Sequence, residues 1–173
     1  MDVFQAIQTR RSIRSYQAKP IEPEKLERVL DAGRLAPSAR NMQDWMFVVV
    51  QDRLMIRKLA EACNSQSFVA QAPAFIAACS TNPGQSMACG QTRSTVDLSI
   101  ATAYMILEAW EMGLGTCWLG SFNPEKIKQL LDIPADFEIV AVTPLGYPDG
   151  QPAARPRTAL QDVACYEKFN KKT

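Results

Sequence analysis

The sequence predicts a domain that mixes helices and strands. Three observations carry this. Short apolar runs rich in β-branched residues ("WMFVVVQD", "PAFIAACS", "FEIVAVTPLGYP") alternate irregularly with segments of helical apolar spacing. One central segment, "VDLSIATAYMILEAWEMG", is long, helical and apolar on nearly every face. No G-x-G-x-x-G follows a strand and no Walker A loop occurs, so a Rossmann or P-loop phosphate site is not expected. The 173 residues suit one domain, 1–173, or one protomer of an oligomer, and 47% hydrophobic residues suffice for a core.

In chain order, "DVFQAIQTR" sets Val3, Phe4 and Ile7 at helical spacing behind Asp2 as N-cap. "IEPEKLERVLDAGRLA" predicts a second helix: Pro23 suits its first turn, Leu26, Val29 and Leu30 form its stripe, and Gly33 and Pro37 mark its end. "WMFVVVQD" reads as a buried strand, "RLMIRKLAEAC" as a helix and "PAFIAACS" as a second buried strand. Residues 81–95 are polar and glycine-containing, hence a loop. The long apolar helix then belongs inside the domain or in a dimer interface. "GTCWLG" reads as a third strand, "PEKIKQLLDI" as a helix opened by Asn123-Pro124, and "FEIVAVTPLGYP" as a fourth strand. The tail from 149 to 173 is polar and contains proline.

A net charge of +1 with no long single-sign run argues against a nucleic-acid partner. No apolar run has the length of a membrane span, and the first residues show no apolar signal region, so a cytoplasmic location is expected. The five cysteines form no C-x-x-C pair and read as small hydrophobes in a reducing compartment, with a reactive thiol as the alternative. Histidine is absent altogether. That removes the Ser-His-Asp and Cys-His mechanisms and the commonest zinc ligand. An enzyme of this composition would leave its difficult chemistry to a cofactor.

In a near-neutral chain, "RRSIRSY" places three arginines in five positions. If the chain becomes extended at Arg11, then Arg10, Ser12 and Arg14 share one side, a surface suited to phosphate oxygens or carbonyl edges. Arg10 and Arg11 equally suit the C-terminal end of a helix dipole. "ARPRT" adds Arg155 and Arg157 on a stiff, proline-flanked segment, or on a plain surface tail. "APSARNMQDW" sets Ser38, Arg40, Asn41, Gln43 and Asp44 between a helix end and a strand, as hydrogen-bonding readers of a flat heterocycle or as turn residues. In "GLGTCWLGS", the glycines permit close approach of a ligand or simply make turns.

In this order, "RRSIRSY", "APSARNMQDW", "DLSIATAYMILEAWEMGLGTCWLGS" and "GYP…RPR" together resemble the nitroreductase family of FMN-dependent, NAD(P)H-using oxidoreductases, across residues 3–158. The resemblance implies an α+β, three-layer fold with a mostly antiparallel central sheet flanked by helices. It implies a homodimer with the long helix in the interface and two FMN sites built from both chains. Residues 149–173 become a C-terminal extension reaching the cofactor and the partner subunit. By position, the resemblance assigns Arg10 to the phosphate and Ser12 to the ribityl chain or phosphate, with Arg11 contributing through its backbone. Arg14 falls beside the pyrimidine edge, where positive charge offsets the negative charge of reduction. Arg155 and Arg157 close on the phosphate. Pro37, Ser38, Ala39 and Asn41 match the loop given by the partner chain. Leu119, Gly120 and Ser121 match the strand end whose backbone N–H faces flavin N5, and Gln66 the pyrimidine edge.

The implied activity moves a hydride from NAD(P)H through flavin N5 to a nitroaromatic, quinone or related small electrophile, in ping-pong fashion. Arg14 and Gly120 are then the residues nearest the chemistry, and no metal is implied. The chain lacks the large insertions that cover the flavin in longer members; the 81–95 loop, with Met87, Cys89 and Arg93, and residues near Arg40 are the candidates for cover. The scaffold also admits a reductive dehalogenase, a flavin-fragmenting enzyme, or a non-catalytic flavin-binding sensor or storage dimer.

Overall fold

A computed structural model describes residues 1–169. The last four residues of the expected C-terminal extension, 170–173, lie outside the described residues. Four strands, β1 (Trp45–Val50), β2 (Ala74–Ser80), β3 (Gly115–Thr116) and β4 (Glu138–Gly146), form one sheet in the order β1-β2-β4-β3, with every neighbouring pair antiparallel. The helices are α1 (Val3–Thr9), α2 (Pro23–Arg34), α3 (Arg53–Ala62), α4 (Arg93–Glu111), α5 (Pro124–Leu131) and the short α6 (Leu160–Val163). Three layers result because β2 is buried on both faces. Phe75, Ala77 and Cys79 pack with Ile56, Leu59 and Ile127 of α3 and α5. Ala74 and Ile76 turn the other way, onto Leu26 and Val29 of α2 and Met105 and Ala109 of α4. The period of two along a strand thus builds two cores from one segment.

The starts of α1, α2, α3 and α5 are those that the sequence predicts. Asp2 and Gln5 form a capping box around α1, with the Gln5 N–H donating to Asp2 Oδ1 at 2.8 Å. Asp52 accepts from the Met55 N–H at 2.7 Å and Asn123 from the Lys126 N–H at 3.0 Å.

Four expectations are revised. β1 is an edge strand in which only Val50 is buried, because it has a neighbour on one side alone. The "GTCWLG" strand shrinks to Gly115 and Thr116: the Cys117 N–H donates to Thr143 Oγ1 at 3.2 Å rather than to a ladder carbonyl, and pairing resumes only where the Leu119 N–H reaches Val142 O at 2.9 Å. Gly33 lies within α2 rather than ending it, and lets Met105 of α4 pack close. Arg93 opens α4 instead of belonging to the preceding loop.

One further segment is placed by the sheet. Residues 12–17 run beside β3, with a parallel bridge from Ser12 to Thr116 and the Ile13 N–H donating to Thr116 O at 2.8 Å. Gly115 permits this approach, since a Cβ there would collide with the Ile13 side chain. The same segment holds the chain that leaves β4: the Gln17 N–H donates to Tyr147 O at 3.0 Å and the Asp149 N–H to Ser15 O at 2.9 Å. Among the described residues no helix is long and apolar enough to cross a membrane.

Candidate active site

The extended segment after α1 and the tail after β4 face each other across a cleft of about 960 Å³. Its walls carry Arg10, Arg11, Ser12 and Arg14 from one side and Arg155 and Arg157 from the other. Ile13 and Tyr16 are buried behind this wall, and the Tyr16 hydroxyl donates to Ile13 O at 2.9 Å. The alternation of buried Ile13 with the outward Ser12 and Arg14 turns the charged side chains to the cleft. Arg11 is occupied locally: its guanidinium donates to Gln8 O at 3.0 Å and Arg10 O at 2.9 Å, so it completes the end of α1. Arg10 is not used in this way.

Among the described residues no carboxylate lines the cleft. Guanidinium groups brought together without an acid repel one another, and an anion is the ligand that removes the repulsion. The volume exceeds what inorganic phosphate needs and lies within the range of cofactor sites. Arg14 also acts inward. Burial pushes the Cys117 thiol up, and the Arg14 guanidinium opposes that shift. Burial raises the Tyr16 phenol well above its ordinary value, helped by Cys117 and opposed by Arg14. Both groups therefore stay protonated and neutral beneath the cleft. Burial likewise pushes the Cys63 and Cys79 thiols up to about 11, so neither is a thiolate nucleophile near neutrality.

A second group lies after β3. Leu119 is buried, whereas Gly120 is exposed and faces open space where a side chain would stand. The Ser121 backbone and side chain are held by donors from the turn after α3. Gln66 Nε2 donates to Ser121 O at 3.2 Å and to Cys63 O at 3.0 Å, and Asn64 Nδ2 donates to Ser121 Oγ at 2.7 Å. Gln66 thus positions the strand end with its N–H groups and keeps its oxygen for another partner. Asn64 has no signal in the sequence beyond a turn residue with positive φ.

The third group, Pro37, Ser38, Ala39 and Asn41, does not join the arginine cleft within one chain. It forms a loop between α2 and β1 in which Arg40, Asn41 and Gln43 all have φ of 53–55°. Such conformations cost about 1–3 kcal/mol each and persist only where the surroundings enforce them. Here Ser38 Oγ accepts from the Gln43 N–H at 3.1 Å, and the Ala39 N–H donates to Asp97 Oδ1 at 3.0 Å. Asp97, buried on α4, went unmarked by spacing, although it is the sole acid in "VDLSIATAYMIL". Arg93, expected as cover, instead pairs with Asp44, and both side chains are largely buried.

Comparison with known proteins bears on these three groups together. The model of the nitroreductase family matches residues 7–82 and 63–147. An archaeal protein of Methanothermobacter thermautotrophicus, named as an NADH dehydrogenase/NAD(P)H nitroreductase, is 36% identical over 159 residues, covering 90% of this chain and 82% of its own. An FMN reductase [NAD(P)H] of Bacillus subtilis is 28% identical, covering 97% of this chain and 74% of its own. The crystal structure of a nitroreductase family protein from Clostridium difficile superposes with a TM-score of 0.86 at 31% identity, over 98% of this chain and 100% of that one. Matched by the family model across all four strands of its sheet, and by relatives and solved structures over most of its length, the chain belongs to the nitroreductase family.

Proposed function

We propose that this protein is an FMN-dependent oxidoreductase that takes electrons from NAD(P)H and passes them to a small electrophile such as a nitroaromatic or quinone. The single observation that carries the reading is the cleft in which arginines from both ends of the chain converge, with no acid among the described residues that line it. The donor set fits FMN. Guanidinium forks of Arg10, Arg155 and Arg157 with the Ser12 hydroxyl suit a dianionic phosphate. Arg14 is a separate positive charge for the pyrimidine edge, and Gly120 leaves its backbone open to a flat ring. When bound, FMN supplies hydride transfer between a nicotinamide and an acceptor. The chain's own residues bind, orient and polarise. Arg14 favours the reduced cofactor by its charge. The Gly120 amide offers a donor, and Ser121, fixed by Gln66 and Asn64, holds that amide in place. The absence of histidine agrees with chemistry that needs no side-chain general base. The names of the archaeal and Bacillus relatives support both the donor and the cofactor.

The working unit in this reading is a homodimer, in which Pro37, Ser38, Ala39 and Asn41 of one protomer complete the partner's site. On α4, Val96, Ile100 and Leu107 are only half-buried, and Ala103 and Tyr104 are exposed. Val3, Phe4 and Ile7 of α1 and Leu160, Val163, Tyr166 and Phe169 of the tail are exposed as well. So much uncovered apolar surface supports self-association. The test is an anaerobic titration of the FMN-loaded protein with NADH and then NADPH, following flavin absorbance near ~450 nm. Bleaching by one nucleotide, reversed by a nitroaromatic or quinone, is expected. Bound flavin that neither nucleotide reduces would redirect the reading to another donor or to a non-catalytic dimer.

A further inference from the structure

The loop of residues 38–44 is gripped at both ends by one helix. Near its entry, the Ala39 N–H donates to Asp97 Oδ1 at 3.0 Å. At its exit, Asp44 pairs with Arg93, and Asn82 Nδ2 adds a contact to Asp44 Oδ2 at 3.3 Å. Arg93 and Asp97 are four residues apart on α4 and therefore lie on one face, a turn apart. Between the two grips stand the three non-glycine residues of positive φ, Arg40, Asn41 and Gln43. Their side chains are exposed within one protomer, so packing inside the protomer does not enforce the backbone shape. The enforcing contacts come from α4 and from Ser38, whose carbonyl accepts from the Asn41 N–H at 2.9 Å and whose hydroxyl accepts from the Gln43 N–H.

We propose that Asp97 and Arg93 form a two-point clamp on the 38–44 loop, acting as positioning residues that preset Ser38 and Asn41 for the cofactor. This rests on the flavoenzyme reading above. Asp97 is buried at 6% exposure, and a buried acid retained in an apolar helix implies a partner that needs an oxygen acceptor at that point. The main-chain N–H of Ala39 is that partner. Because the clamp stands on α4, whose outer stripe is left uncovered, the shape of the loop is tied to the helix that the dimer would bury.

Two readouts test the clamp, one without flavin and one with it. In the flavin-free protein, hydrogen exchange at the Asn41 and Gln43 amides should quicken about tenfold in Asp97→Ala. FMN affinity, read by quenching of flavin fluorescence, should fall about tenfold in the same variant. Asp97→Asn keeps an acceptor oxygen and should restore both to within about threefold. Ile127→Val, a core change on the opposite side of the sheet, should alter stability but neither readout. If Asp97→Ala does not fold, Asp44→Asn, which loosens only the Arg93 end, is read in the same way. Native exchange in the loop overturns the clamp, and faster exchange with native FMN affinity overturns its positioning role. Loss of both readouts in Ile127→Val, or no rescue by Asp97→Asn, assigns the effect to general destabilisation and overturns it too. A wild-type protein that takes up no FMN defeats the flavoenzyme reading, while the exchange data still decide the clamp.

Discussion

Within the arginine cleft, the proposed flavin site gives single residues two tasks that a sequence motif runs together. Arg14 sits above neutral Tyr16 and Cys117, so its charge is not neutralised from below. Arg157 is on the wall made by the exposed tail, in a stretch that is neither helix nor strand. Arg14→Ala should therefore lower the flavin midpoint potential more than it weakens FMN binding, and Arg157→Ala should do the reverse. Potentiometry and fluorescence titration of the two variants check this, and equal effects on both quantities would remove the division. The cluster was legible because charged side chains stand out in a chain of net charge +1. The roles of Asp97 and Asn64 were not, because their partners are a backbone amide and a serine hydroxyl distant in sequence. Arg11 shows the other limit. The sequence offered it a helix end or a backbone contact, and its guanidinium serves the carbonyls at the end of α1.

Elements were readable where periodicity and caps agree, as for α2, α3 and α5, each with a clear start and an apolar stripe. The third strand was overextended for a physical reason: "GTCWLG" has strand composition, but the Thr143 hydroxyl takes the Cys117 amide out of the ladder. The junction between α2 and β4 carries its own prediction. The Tyr147 hydroxyl donates to Glu22 Oε2 at 2.5 Å and accepts from Lys25 Nζ at 2.8 Å, while Lys19 Nζ lies 3.8 Å from the centre of the Tyr147 ring. The Tyr147 hydrogen bond, more than the nearby lysines, holds the Glu22 carboxyl at about 2, against an ordinary value of 4.5. A carboxyl depressed in the folded state stabilises it fully above the unfolded value, and that contribution fades as pH falls from 4.5 towards about 2. Glu22→Gln should lose less stability than wild type across that window, as read from urea midpoints. Parallel decline of the two proteins would show that the contact adds nothing. Glu22 is solvated, so the difference is expected to be small.

At the scale of the molecule, the uncovered stripe of α4 and the separation of the 38–44 loop from the arginine cleft point to the same assembly. Ala103→Glu places a charge in the middle of that stripe, where a monomer tolerates it and a buried interface does not. The variant should sediment as a monomer and release FMN, while keeping the far-ultraviolet circular dichroism of the wild type. A wild-type protein that holds FMN as a monomer would separate cofactor binding from dimerisation. The all-round apolar character of the helix was visible in sequence, but which stripe the sheet and α2 leave open was decided by packing. The pairing of Asp149 with Ser15, and of Gln17 with Tyr147 and Pro148 just before it, has a consequence for the part proposed for Arg155 and Arg157. In the proposed site, a short leash fastened beside the cleft would make their closing on an anion already held by Arg10 an intramolecular event, at an effective concentration of roughly millimolar order.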